Sequence, residues 1–535
     1  MSKSGNVQLK ELYKFMNSIF FTKDIEKSNL NNMVKKTLNG HAQLENVPKE
    51  KVFLASGFSN GAVCGKLVST YSQARKLKKN GQKVIFLAED TTMSLIPHIN
   101  DFDGLIFLKG TSASHVVIEA RSKKIPTIFV NDGNVVEILK KVQTDPEIDV
   151  CIDGTYGYLI LGTCKIYVPQ EKTIDWLKEW CNRAESELLA SNKKTCSIAY
   201  CVHSAREAKM GRIETSAIGL TRIENMFCHS PERLNILRKL MLHPDSNVRE
   251  EMSIIQSKLI QQDVFDILNE IDGKRLIIRL MDILPSELMP EKHEIKLFLK
   301  NTSITIEQYE FVRNNALDTA CMMGTRGSRY GLTQPNNYRR EIEGLLCGAY
   351  RAKRKGACIN EFTIIAPFIR TSEEMKNMAT MIKTTNIRIS KEYNDYIDVI
   401  VGCMIEIPSA ALMSKEIAKH SDFFCYGLND LSQFSHALSR DNLDHNYMEK
   451  SESINPFKTF DVSAVGRLVK MSIDEGKAAN PKLQIGIFTD KRIEDFEFIS
   501  FCNSEEIDFL LTVGDILYGK IVTIGSLLQK LIKVS

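Results

Sequence analysis

The sequence predicts an α/β protein in two parts: a small domain mixing strands and helices, then a (β/α)8 TIM barrel. Three observations carry this expectation. At 535 residues the chain is too long for one hydrophobic core. Between about residues 51 and 168, short β-branched runs alternate with glycine turns and two helical stretches. From about residue 195 onward, eight short apolar runs recur, each followed by a helical segment. Eight strand–helix units in that length are what a barrel with insertions requires, and a doubly wound open sheet is the alternative.

Taken in order, residues 1–50 are polar and lysine-rich, with helical patterning at LKELYKFMNSIF, and are expected to form an N-terminal helical arm. In residues 51–168, KVIFLA, GLIFLK, TIFVND and YLILG have the composition of strands. EKTIDWLKEWCNRAESELLASNKK, within 169–194, reads as one long polar helix linking the two parts. In residues 195–535 the apolar runs are CSIAYC, AIGLTR, RLIIRLM, FTIIAP, VIVGCMIE, FFCYG, QIGIF and DFLLTV.

Composition sets limits. With 43% hydrophobic and 25% charged residues the chain is an ordinary globular protein, and a net charge of +4 makes no case for a nucleic-acid surface. The thirteen cysteines show no paired spacing and are read as reduced thiols. No apolar run approaches the length of a membrane span, and MSKSGNVQLKELYKF lacks the apolar stretch of a signal peptide. A cytoplasmic location without membrane contact is expected.

A barrel carries its working residues at the C-terminal ends of its strands. Those ends hold Arg222 after AIGLT, Arg279 in RLIIR, Glu406 closing VIVGCMIE and Asp430 just past FFCYG. Taken singly, a carboxylate there is commonly a helix cap or half of an ion pair, and an arginine a solvated charge. Together they suggest more. One strand–helix–strand step puts Glu406 and Asp430 on neighbouring strands at one rim, a pair suited to Mg²⁺ with waters and substrate oxygens completing the shell. Two arginines on that rim can clamp an anion bidentately. Arg326 in MMGTRGSRYGLTQP and Arg440 in SHALSRDN are further candidates on loops nearby. GAVCGKLV lacks the spacing of a phosphate loop, and no zinc cluster or nucleophile-elbow serine is present in the sequence.

GTSASHVVIEAR, at residues 110–121, resembles the phosphohistidine segment of the phosphoenolpyruvate-utilising enzymes, the family of pyruvate phosphate dikinase, phosphoenolpyruvate synthase and enzyme I of the bacterial sugar phosphotransferase system. GAVCGKLV and CIDGTYGYLILG are similar to the opening and closing strands of that family's swivelling domain. AIGLTRIENMF, RLIIRLMDILPSELMP, MMGTRGSRYGLTQP, MIEIPSAALMSKEIA, FFCYGLNDLSQFSHALSRDN and NPFKTFDVSAVGRLVKM each resemble barrel blocks of the family, in the same order. The resemblance spans about residues 51–530 and is strongest to the dikinase branch.

The resemblance implies that residues 51–168 are a swivelling phosphohistidine domain and that His115 carries the phosphoryl group. It places Arg222, Arg279 and Arg326 on the arginines that hold substrate phosphate and carboxylate, and Arg440 on a further active-site arginine. Glu406 and Asp430 fall on the Mg²⁺ ligands, with the Gly427 backbone, Leu428 and Asn429 beside the substrate. Homodimerisation through the barrel is likewise implied by the resemblance alone.

The chain also departs from the family. Only 50 residues precede the swivelling domain, leaving no room for the dikinase nucleotide-binding domain, so a separate phosphoryl donor or acceptor protein is expected. The family's Gly-Ile-Cys-Gly-Glu stretch, whose cysteine exchanges the methyl proton of pyruvate, reads GIFTD, with Phe488 at the cysteine's place. Leu428 stands for a threonine, Ala113 for the threonine before Ser-His, and Ala320-Cys321 for an Asn-Pro pair. The leading expectation is a Mg²⁺-dependent phosphotransferase working between phosphoenolpyruvate, or a similar acid phosphate, and His115. The alternatives are a split dikinase-like subunit charged by a separate ATP-binding protein and acting on another acid, and a regulatory protein that binds phosphoenolpyruvate without turnover.

Overall fold

The structure, a computed structural model, describes residues 43–45, 52–109, 114–142, 149–167, 171–193, 195–212, 215–228, 230–290, 295–316, 324–438, 460–489, 492–493, 495–513 and 516–534. The chain divides into two compact units: Met1–Thr195 with Asp490–Asn503 and Val513–Ser535, and Cys196–Thr489 with Ser504–Thr512.

The first unit is built on an eight-stranded mixed sheet. Its strands are β2 (Val52–Leu54), β3 (Ser56–Ser59), β4 (Ala62–Val68), β5 (Val84–Ala88), β6 (Gly104–Phe107), β7 (Thr127–Phe129), β8 (Asp149–Asp153) and β9 (Tyr158–Leu161), in the spatial order β2-β9-β8-β4-β5-β6-β7-β3. The central strands β5 and β6 are buried at every position, which explains their unbroken apolar runs. Val63, Ile85, Ile106, Ile128, Val150 and Ile152 form the middle of the core. Three helices lie between strands, Tyr71–Lys79, His115–Ser122 and Gly133–Val142, together with a 3-10 segment at Met93–Asp101.

Two readings of the sequence need correction here. Within the stretch expected to be a helical arm, Gln43–Glu45 is a strand (β1), paired antiparallel with β10 (Lys165–Tyr167). The helical pattern at LKELYKFMNSIF lies outside the described residues. The cysteines are not all reduced thiols: Cys64 and Cys151 are joined in a disulfide. They face each other directly across the antiparallel β4–β8 pair, a proximity hidden by their separation of 87 residues in the sequence. The polar stretch expected to be a long helix is one, Glu171–Ala190.

The second unit contains a closed barrel of eight strands, consecutive and all parallel. They are β11 (Ser197–Tyr200), β12 (Ala217–Arg222), β13 (Arg275–Arg279), β14 (Phe362–Ala366), β15 (Val399–Ile405), β16 (Phe423–Tyr426), β17 (Gln484–Phe488) and β18 (Phe509–Thr512). Each coincides with one of the eight apolar runs read from the sequence. Arg275, buried at the start of β13, donates to Thr363 Oγ1 at 3.0 Å and to Gln484 Oε1 at 2.7 Å. Its guanidinium also lies 5.0 Å from the Phe423 ring and 4.9 Å from that of Phe509. One cation thus ties five strands together at their N-terminal ends and leaves the opposite rim for chemistry.

The barrel's insertion is helical. Ser246–Glu270 runs against Pro335–Arg354, and glycines spaced one turn apart set how closely they approach. A Cβ on Gly344 would lie 2.5 Å from the Ser257 carbonyl oxygen, and one on Gly348 2.7 Å from that of Gln261. These two helices follow β12 and β13 and lead the chain into β13 and β14. Among the described residues, no helix is long and apolar enough to cross a membrane.

Candidate functional site

Strand register delivers the first two arginines. Arg222 and Arg279 end β12 and β13 and are paired neighbours in the parallel ladder, so their side chains leave adjacent strands at one rim. Both are buried, at 6% and 7% exposure. Arg279 ion-pairs with Glu224, two residues past the end of β12, and lies 3.6 Å from Asp282. Arg222 rests its guanidinium 4.4 Å from the centre of the Phe488 ring, at the end of β17.

Arg326 arrives from the long insertion between β13 and β14. It grips Asp282 through two bonds, Nε to Oδ1 at 2.8 Å and Nη2 to Oδ2 at 2.6 Å, and its Nη1 lies 3.5 Å from Asp430 Oδ1. Its guanidinium also lies 4.5 Å from the Phe368 ring. Burial alone would lower the pKa of both Arg279 and Arg326. The surrounding carboxylates, Glu224, Asp282 and Glu406 for the first and Asp282, Asp430 and Glu406 for the second, hold both above the usual arginine value. Both cations are therefore fixed in place as cations.

Glu406 follows β15 and is 1% exposed. Its Oε1 accepts from the Phe368 backbone N–H at 2.7 Å. Phe368 can donate there because its φ is +52°, a left-handed backbone that phenylalanine rarely adopts. The neighbouring Pro367 carbonyl is pinned by Ser328, whose N and Oγ donate at 3.1 and 2.6 Å. Gly327, also at positive φ (+53°), allows this approach, since a Cβ there would lie 2.8 Å from Phe368 Cβ. Burial, then Asp430 and Asp282, push the Glu406 carboxyl up to about 8, against the opposing arginines.

Gly427 ends the loop after β16 and precedes the helix Leu428–His436. It is glycine for a local reason: a Cβ would lie 2.6 Å from Glu406 Oε2. The first turn of that helix places Asp430 on the same rim, and its Oδ1 is buried without a hydrogen bond. Asn429 is half-buried beside it, and Leu428 is 1% exposed. Among the described residues, no group of three or more histidine, cysteine, aspartate or glutamate side chains could hold a metal. Any cation taken by Glu406 and Asp430 would complete its shell with water or ligand oxygens.

One rim thus brings together Arg222, Arg279, Arg326, Glu406, Gly427 and Asp430. Arg440 lies outside the described residues. In the other unit, His115 opens the helix His115–Ser122, and Ser114, its N-cap, has a buried Oγ with no hydrogen-bond partner. The sequence did not single out Glu224, Asp282, Phe368 or Glu341. The last is buried in Pro335–Arg354, accepts from Met281 N at 2.7 Å, and is driven up to about 8 by burial. Glu224 and Asp282 carried a weak signal, being two and three residues beyond the rim arginines.

Residues 178–489 match the PEP-binding domain of the PEP-utilising enzymes, and residues 80–157 match their mobile domain. A pyruvate, phosphate dikinase of Rickettsia typhi is 28% identical over 455 residues, 82% of this chain and 50% of its own length. A chloroplastic pyruvate, phosphate dikinase of Flaveria pringlei is 26% identical over 466 residues, 84% of this chain and 48% of its own. The chain spans about half the length of these relatives. Among solved structures, citrate synthase SbnG matches at a TM-score of 0.28 and 11% identity, covering 67% of this chain and 97% of its own, too loosely to bear on fold or function.

Proposed function

The chain belongs to the PEP-utilising enzymes, and on that premise we propose that it is a phosphotransferase moving a phosphoryl group between a barrel-bound acid phosphate and His115. The acid phosphate is phosphoenolpyruvate or a close analogue, and a separate partner protein gives or takes the phosphoryl group at the other end of the cycle. The observation that supports this most is the convergence of Arg222, Arg279 and Arg326 with Glu406 and Asp430 on one barrel rim.

In this reading, the guanidiniums of Arg222, Arg279 and Arg326 hold the substrate's phosphate and carboxylate through paired N–H donors. Because buried carboxylates already orient Arg279 and Arg326, little reorganisation is needed when substrate charge arrives. A nitrogen of the His115 imidazole attacks phosphorus. The P–N bond forms as the P–O bond breaks, and the enol oxygen keeps the electron pair. The rim arginines stabilise the negative charge that this oxygen gains. Glu406 and Asp430 fit a Mg²⁺ ion: Asp430 Oδ1 accepts no hydrogen bond, its contact being the 3.5 Å ion pair with Arg326, and glycine at 427 sets no side chain against Glu406 Oε2. When bound, Mg²⁺ would neutralise charge on the substrate oxygens.

A second reading, that the acid is not pyruvate, is favoured by Phe488. Arg222 lies over its ring at the position where a proton donor would serve the pyruvate methyl carbon. The side chain has no proton to give, so methyl-proton exchange of pyruvate in deuterated buffer is expected to run near background. Phe488→Cys is expected to raise it by roughly 10²-fold, as followed by proton NMR. Titration calorimetry tests the wider proposal. Phosphoenolpyruvate binding that requires Mg²⁺ is expected, and its absence with and without Mg²⁺ would remove phosphoenolpyruvate as the barrel ligand.

A further inference from the structure

A cavity lies next to the rim and does not include its charged residues. It has a volume of about 340 Å³ and is lined by Arg329, Phe368, Ile407, Pro408, Ser409 and Phe434. That is the lower end of the size range of small-molecule sites. Neither the three rim arginines nor Glu406 or Asp430 lines it. It meets the rim at Phe368, the residue that holds Glu406, and at Ile407, the neighbour of Glu406 in the chain.

The walls are apolar apart from two polar side chains. Phe368 and Phe434 present aromatic rings with centroids 5.9 Å apart, and Ile407 and Pro408 add aliphatic surface. Arg329 supplies the one positive charge. Its position differs from that of Arg279 and Arg326, each of which is held by buried carboxylates. Among the described residues, no carboxylate forms an ion pair with Arg329, and Glu374 acts on it only at longer range. Its Nη1 donates only to the Gly324 carbonyl oxygen at 3.1 Å, its guanidinium lies 4.8 Å from the Phe368 ring, and its Nε is buried without a partner. A partly desolvated cation with an unused donor at the wall of an apolar cavity is complementary to an anion carried on an apolar body.

We infer that this cavity is a binding site for a small monocarboxylate with an aromatic or aliphatic body, the carboxylate on Arg329 and the body between Phe368, Ile407 and Phe434. The Ser409 hydroxyl offers a second donor to the carboxylate. The site is separate from the phosphate-holding rim and does not depend on the phosphoryl chemistry proposed there.

The test is titration calorimetry of the full chain with 3-phenylpropionate, beside its neutral amide. Saturable binding of the acid is expected, with the amide weaker. Arg329→Met is expected to weaken the acid by roughly tenfold or more, the value of one charge-assisted bond, and to leave the amide unchanged. Ser409→Phe, which fills the cavity while keeping the arginine, is expected to abolish both. Circular dichroism and melting curves verify that each variant is folded. The inference is overturned if the acid shows no saturable binding at low-millimolar concentration, if Arg329→Met weakens acid and amide alike, or if folded Ser409→Phe protein binds the acid as well as the wild type.

Discussion

Replacing Arg326 with methionine is expected to lower stability by about 3–5 kcal/mol, the usual consequence of removing one member of a buried ion pair. The geometry is unfavourable to any smaller effect. Asp282 would lose both bonds of its bidentate grip, and Asp430 and Glu406 would lose the cation that offsets their mutual repulsion. Against a typical stability of about 5–15 kcal/mol this is a large fraction. A melting temperature lower by roughly 5–8 °C follows for a unit of this size. Arg326→Lys keeps the charge but not the fork, so it should recover part of the stability and little of the phosphoenolpyruvate binding. Differential scanning calorimetry and ligand titration on the two variants separate the structural from the binding contribution.

Gly427→Ala is expected to weaken Mg²⁺-dependent phosphoenolpyruvate binding by roughly 10–100-fold, the range seen when the support of a metal ligand is disturbed. The added methyl group would lie 2.6 Å from Glu406 Oε2 and 2.9 Å from Glu406 Cβ. Glu406 cannot retreat freely, because its other oxygen is bound to the Phe368 N–H. Overpacking of this kind costs about 1–3 kcal/mol, well short of unfolding a stable domain. The expected signature is a folded protein with a small drop in melting temperature and a large loss of affinity. An unchanged affinity in a folded variant would place Glu406 outside the binding site.

Much of this was legible in the sequence for definite reasons. The barrel strands are largely buried on both faces, so they appear as apolar runs such as FFCY or VIVGCMI, and counting runs counts strands. The rim arginines and Glu406 could be found because a parallel barrel sends the end of every strand to one face. The buried acids that hold those arginines could not. Asp282 and Glu224 look like any carboxylates after a strand, and only the fold turns them inward onto Arg279 and Arg326. The left-handed backbone of Phe368 in IIAPFIR has no glycine or asparagine to announce it. The Cys64–Cys151 bond was hidden because β4 and β8 are far apart in the chain and meet only in the sheet.

The central claim is that His115 carries phosphoryl taken from the barrel ligand. Intact-protein mass spectrometry after incubation with phosphoenolpyruvate and Mg²⁺ tests it most directly, with His115→Ala and Glu406→Ala proteins treated in parallel. The expected result is an acid-labile phosphate adduct on the wild type, absent from His115→Ala and strongly reduced in Glu406→Ala. An adduct that persists on His115→Ala, or none on wild-type protein that binds phosphoenolpyruvate, would contradict the claim.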